Sequence, residues 1–250
     1  QMVHGLFDQS TTNAETASLS SDIFSNQEYI SLFKRAFPSK ENDPDLISQE
    51  TVAMAIAAYD RSIIADQAPF QKFLQGDTKA LTFNQIKGLN LFLNKGQCYK
   101  CHTGPALNSM QFHSLGFNDF NPANTIIKEG DESAFLGRGG FTKDPIDNYK
   151  FKVPQLYNIK DHFRLGHGGS FRSVREVIEY KNRGVSQNPN VPSSQLSDLF
   201  IPLNLSPEEI SSLVDFIENG LKDPSLERYI PTNIPSNLCF PSNENGEVCL

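Results

Sequence analysis

The side chains best suited to chemistry stand together in Cys98-Tyr99-Lys100-Cys101-His102. Two thiols separated by two residues fall on the same side of one turn, and an imidazole follows at once. That order is the C-x-x-C-H attachment site of c-type haem, in which the thiols add to the two vinyl groups and the histidine becomes the proximal iron ligand. Other chemistries use Cys pairs. A thioredoxin-like redox pair wants a βαβ context, which the flanks do not offer, and a zinc site wants a second close pair of ligands. The remaining cysteines, Cys239 and Cys249, are too far apart to supply that pair. One covalent haem c is expected, anchored by Cys98 and Cys101 with His102 on the iron.

The elements around the motif must position it. Thr82-Phe83-Asn84-Gln85 is a capping box, and it opens a helix whose Ile86, Leu89, Phe92 and Leu93 are expected to form one apolar face. Gly96 ends that helix two residues before Cys98, so a packed helix leads straight into the attachment site. Upstream, residues 1–25 read as a polar arm, a short helix covers Gln27 to Ala36, and a longer one starts after Ser48. Val52, Ile56, Tyr59 and Ile63 recur at helical spacing in the longer helix, which makes it a packing element. Downstream, residues 102–149 are rich in Gly, Asn and Asp with scattered aromatics, the composition of a long ordered loop wrapped on the haem. Ser173-Val174-Arg175-Glu176 is a second capping box, and Leu205-Ser206-Pro207-Glu208-Glu209 joins a cap, an N1 proline and an acidic first turn. Beyond Pro224 the chain reads as irregular.

Composition narrows the rest. The 250 residues carry a formal charge of −7, which argues against nucleic acid and anionic membrane surfaces as partners. No run of eighteen apolar residues exists, so no membrane span is expected. Gly and Pro are frequent, at 16 and 15 residues, and Trp is absent, so helices joined by many ordered loops are expected around a macrocycle that fills the core. The class is mainly α: a c-type cytochrome domain with long ordered loops around a covalent haem. C-type haem is normally attached outside the bacterial cytoplasm, and no signal peptide is read, so a processed, periplasmic form is expected. Cys239 and Cys249 would suit that compartment as a small disulfide loop, or remain free surface thiols.

Several further stretches carry a family resemblance. Ala55 to Ile63 (AIAAYDRSI), Pro69-Phe70 with Gly76-Asp77, Gly88 to Phe92 (GLNLF) and Cys98 to Pro105 (CYKCHTGP) come in order. Gly137-Arg138, Phe151 to Asn158 (FKVPQLYN), His167-Gly168-Gly169 and Leu205 to Glu209 follow. Together they resemble the bacterial di-haem cytochrome c peroxidases and the related MauG-type enzymes, and the likeness is to their C-terminal haem half. The resemblance implies residues 1–75 as the remnant of a first haem domain, 76–225 as the c-type haem domain and 226–250 as an irregular tail. It also implies a peroxidase-type oxidoreductase in which this haem stores or relays oxidising equivalents from peroxide cleaved at another haem. A second haem-bearing polypeptide or domain and a redox partner protein follow from that. A one-haem electron carrier without peroxidase activity is the alternative, and a complete single-haem peroxidase with an open sixth site is a third reading.

The resemblance bears on single residues too. Gln1-Met2 is similar to a Glu-Met pair whose carboxylate serves the peroxide pocket of the first haem, and glutamine cannot exchange a proton there. Aligned without gaps from Phe151, Tyr180 falls where the peroxidases place a methionine ligand and the MauG-type enzymes a tyrosine, which implies Tyr180 as the iron's distal ligand; an edge-of-core tyrosine is the bland alternative. Met110, His113 and His167 are the competing ligands and read as structural. His162 and Arg164 stand where many members have Thr and Pro beside a calcium ion, so calcium is a further candidate cofactor that backbone carbonyls would have to hold. The family's tryptophan between the haems has no counterpart, which leaves Tyr99, Phe92 or the edge gap itself as the electron path.

Overall fold

In the computed structural model, residues 25–119, 132–231, 234–235, 240–242 and 246–248 are described. They are mainly helical. The chain divides into two compact units, one joining the residues up to Ile64 to those from Leu226 onward, the other running Ala65–Ser225.

The first unit holds α1 (Gln27–Ala36) and α2 (Gln49–Ser62), both where the sequence predicts helices. Asn26 caps α1 by accepting the Glu28 N–H at 2.9 Å. Ser48 and Thr51 form a reciprocal capping box at the start of α2, and Thr51 Oγ1 also donates to the Leu46 carbonyl at 2.9 Å, so this polar side chain is buried with every group satisfied. Thr51 is the only buried residue of α2, and α1 has none. Of the apolar stripe expected to pack, Val52 and Ile56 are half-buried, whereas Tyr59 and Ile63 are 47% and 41% exposed among the described residues. Where the sequence predicts an irregular tail, β3 (Phe240–Ser242) pairs antiparallel with β4 (Gly246–Val248), Phe240 opposite Val248. Cys239 and Cys249, with their expected disulfide, lie outside the described residues, as do Gln1 and Met2.

The second unit is built on a helix pair. It contains α3 (Pro69–Leu74), α4 (Phe83–Leu93), α5 (Arg138–Thr142), α6 (Val174–Arg183) and α7 (Pro207–Asp215), the last running into a π-helical turn at Phe216–Gly220. α4 crosses α7 at Gly88, where a Cβ would lie 2.1 Å from the Ser212 carbonyl oxygen, so only glycine permits the approach. That contact sets the rotation of α4. Its buried residues are Gln85, Gly88 and Phe92, whereas Ile86 and Leu93, expected inward, are 37% and 49% exposed. Phe92 and Phe70 both meet Phe216 edge-on, with ring centroids 5.7 and 5.4 Å away. Phe70 thereby ties α3 into this unit, which begins at Ala65.

α6 and α7 carry their expected caps with one difference. Ser206 and Glu209 form a full box at α7. At α6 the Ser173 hydroxyl accepts the Glu176 N–H at 3.2 Å, but the Glu176 carboxylate reaches the N–H of Arg172 instead of that of Ser173. The sequence reading placed no strand within residues 102–149, yet β1 (Phe112–His113) pairs there with β2 (Phe151–Lys152) in a two-residue ribbon, Phe112 opposite Lys152. The ribbon closes the long loop on itself.

Candidate haem-attachment site

The end of α4 builds the motif. Asn94 caps the helix, the Gly96 N–H returns to the Leu91 carbonyl at 2.8 Å, and Gln97 takes a left-handed φ of 52°. A Cβ on Gly96 would come within 2.8 Å of that carbonyl and 3.4 Å of Cys98 Sγ, so the turn has no room for a side chain. Lys95 fastens it to the N-terminus of α7 by an ion pair with Glu209 at 2.5 Å. Cys98–Lys100 is then a single 3₁₀ turn, and the N–H groups of Cys101 and His102 both bond the Cys98 carbonyl, at 3.2 and 2.9 Å. One turn of backbone thus carries both thiols and delivers the imidazole after them.

The ring of His102 is fixed by a group no motif search would flag. Its Nδ1 lies 3.0 Å from the carbonyl oxygen of Leu107. Nδ1–H is therefore the donor and Nε2 keeps a free lone pair, the tautomer that a metal-binding histidine needs. Gly104, with φ of 75°, and Leu107, with φ of 49°, form the tight turn that aims this carbonyl, closed by a Leu107 N–H to Gly104 O bond of 3.0 Å. The sequence signal was present in Gly104-Pro105, a turn dipeptide directly behind the motif.

Burial sets the protonation states. It pushes the Cys98 thiol up to about 11 and raises that of Cys101, while the nearby ammonium of Lys181 acts in the opposite direction on both. For His102 burial lowers the pKa to about 4; the Leu107 and Pro154 carbonyls oppose that, and the charges of Lys181 and His113 reinforce it. The imidazole is consequently neutral at ordinary pH. The same Lys181 charge also lowers His113, behind the larger effect of burial. Two buried hydroxyls of this region, Ser109 and Ser114, have no hydrogen-bond partner among the described residues.

The expected ligands are dispersed. Tyr180 is fully buried, and its hydroxyl donates to the Leu115 and Gly116 carbonyls, the latter at 3.0 Å. Its ring sits among Phe117, Phe171 and Phe200, with centroids 5.1 to 5.3 Å away. Burial raises its pKa, so it is a protonated phenol engaged with the backbone. His113 has both ring nitrogens occupied, by Ser197 Oγ at 3.0 Å and Gln111 Oε1 at 3.1 Å. His167 pairs with Asp119 at 3.1 Å and stacks on Phe151 at 3.6 Å. Met110 is 66% exposed. His113 and His167 thus make loop hydrogen bonds, as the sequence reading expects, whereas Met110 is turned to solvent. His162 is exposed, and no group of three His, Cys, Asp or Glu among the described residues is arranged around a metal position.

The model of the family described as di-haem cytochrome c peroxidase matches residues 1–79. A cytochrome-c peroxidase of a Pseudomonas species (strain SCT) is 30% identical over 76% of this chain and 53% of its own length. The cytochrome c551 peroxidase of Pseudomonas aeruginosa is 28% identical over 80% of this chain and 51% of its own. A crystal structure of a MauG-like protein associated with microbial copper homeostasis superposes with a TM-score of 0.72 at 25% identity, over 90% of this chain and 69% of that one. The chain is a relative of the di-haem cytochrome c peroxidases. It spans about half the length of the curated peroxidases just named. The fold is that of the MauG-like and di-haem peroxidase structures. The residues present fit haem c, since the thiols share one turn and His102 offers a neutral Nε2. Among the described residues no helix is long and apolar enough to cross a membrane.

Proposed function

We propose that this chain is the second-haem half of a di-haem cytochrome c peroxidase or MauG-like oxidoreductase, storing or relaying oxidising equivalents from peroxide cleaved at another haem. The observation that carries the reading is the commitment of His102 Nδ1 to the Leu107 carbonyl at the end of the turn bearing Cys98 and Cys101. Haem c, when bound, supplies the redox-active iron. The chain's own residues do the rest: Cys98 and Cys101 anchor the macrocycle, His102 binds the iron, and the Gly104–Leu107 turn holds the imidazole in its tautomer. A second side-chain ligand would leave the bound group no position for peroxide, and peroxide cleavage would then fall to a second haem.

In this reading residues 1–75 descend from the first haem domain and 76–225 form the haem domain proper. The partner is a polypeptide or domain bearing the second haem, and the exposure of Tyr59 and Ile63 at the C-terminal end of the α2 stripe supports such a partner. A redox protein delivers or collects electrons, the location is periplasmic, and calcium held by backbone carbonyls beside His162 and Arg164 belongs to the same reading. Intact mass of the native assembly, with haem count per chain, tests it. One covalent haem per chain and a tightly held second haem polypeptide are expected. A mass equal to the bare polypeptide ends the reading. A one-haem monomer without peroxide turnover establishes the electron-carrier alternative, and a monomer with full turnover establishes the single-haem peroxidase.

A further inference from the structure

Tyr180 and Lys181 are neighbours on α6, about 100° apart around the helix axis. Tyr180 faces the Phe117, Phe171 and Phe200 cluster with its hydroxyl tied to two backbone carbonyls. Lys181 continues a different stripe. Val174, Val177, Ile178 and Lys181 follow the i, i+3, i+4, i+7 pattern of a single helix face, and the first three lie in or against the hydrophobic core. The lysine therefore extends from an apolar stripe, half-buried, and no carboxylate or hydrogen-bond acceptor pairs with its ammonium among the described residues. It lies near enough for its charge to act on Cys98, Cys101 and His102 alike. Those three groups are the proposed haem anchors and iron ligand, carried on one backbone turn.

We propose that the Lys181 ε-amino group, and not the Tyr180 phenol, binds the haem iron opposite His102. The inference rests on the haem reading above and names the sixth ligand of that same site. Pairing with a haem propionate is the competing role for an unpaired lysine, but the propionates leave the macrocycle on the edge opposite the vinyl-derived thioethers. A cation felt by both thiols and the imidazole stands on the thioether and iron side. Binding requires the ammonium to release one proton to solvent, after which its nitrogen lone pair enters the iron's vacant position; no electron is transferred. The metal's positive charge favours the free amine over the ammonium. The rival side chains are spent elsewhere: both nitrogens of His113 are bonded, His167 is held by Asp119, and Met110 is turned to solvent.

The test uses ferric holoprotein at neutral pH, with haem content fixed by intact mass. Electron paramagnetic resonance and near-infrared magnetic circular dichroism of the unmodified protein should report a low-spin iron with two nitrogen donors, one an amine. Lys181→Ala and Lys181→Arg should both become high-spin and bind azide at least ten-fold more tightly, since a guanidinium keeps the charge but cannot ligate. Tyr180→Phe should leave the ligand signature and azide affinity unchanged. A thioether or phenolate signature in the unmodified protein overturns the proposal without any variant, as does a Lys181→Arg spectrum equal to the parent. Absence of covalent haem instead overturns the functional reading beneath it, so the two failures are distinguishable.

Discussion

Tyr180→Phe separates a structural tyrosine from a ligand by stability as well as by spectrum. The phenyl ring preserves the contacts with Phe117, Phe171 and Phe200, so the change isolates the hydroxyl. That hydroxyl donates to the carbonyls of Leu115 and Gly116 and accepts the Gln187 N–H at 3.3 Å. Gly116 O would keep the Gln187 and Asn188 N–H groups, both at 3.0 Å, and the Gln187 N–H would keep Gly116 O. The Leu115 carbonyl alone loses the partner described for it. One under-satisfied carbonyl in a partly buried position costs about 1–2 kcal/mol. For a unit of this size that lowers Tm by roughly 3–6 °C. Thermal unfolding of holoprotein, followed by near-ultraviolet circular dichroism and by Soret absorbance together, measures it. A variant that unfolds at the parental temperature while its reduction potential rises would refute the structural assignment and restore Tyr180 to the iron.

Three further outcomes are expected. Gly88→Ala should destabilise the second unit by about 2 kcal/mol in chemical denaturation, because overpacking against Ser212 and Phe216 outweighs the gain of about 1 kcal/mol in helix propensity; equal or greater stability would mean that α4 and α7 do not cross there. Cys98→Ala with Cys101→Ala should lose covalent haem, read as colour and as mass. His167 has its pKa lowered from 6.5, by burial first and against the opposing bond to Asp119. The unfolded chain therefore takes up this proton more readily, so the stability His167 contributes is fully present above about pH 6.5 and is lost as pH falls below it. Denaturant midpoints at pH 7 and pH 5 should differ less in His167→Gln than in the parent; an identical difference would show that His167 does not contribute to the acid side of the profile.

The helices were legible because their signals are local. Ser48, Thr82, Ser173 and Ser206 each announce a start through a side chain that bonds the backbone two or three residues on, and all four caps are present. The buried face of α4 was not legible, because it depends on which residue lets another helix come close. Ile86 and Leu93 are as apolar as Phe92, but Gly88 decides the rotation, and its absent side chain leaves nothing for a hydrophobic pattern to register. The ribbon between β1 and β2 escaped for a related reason: two residues per strand are too few to show an alternation, and its partners are 38 or more residues apart.

At the candidate site the proposed attachment residues follow from spacing alone, since Cys98, Cys101 and His102 share one backbone turn. The distal side has no such constraint; it is set by the phase of a helix that begins at Ser173 and by what the preceding loop offers it. A shift of one residue along α6 exchanges a phenol for an amine and turns the chosen side chain by about 100°. Residue type favoured Tyr180, a recognised ligand in the resembling enzymes, whereas the helical stripe of Val174, Val177 and Ile178 leads to Lys181. Under the proposed assignment phase outweighs residue type, because the Tyr180 ring, buried beside Phe117 and Phe171, cannot leave its place without emptying the core it fills. A lysine has four methylenes with which to reach, and it loses no packing of that kind by doing so.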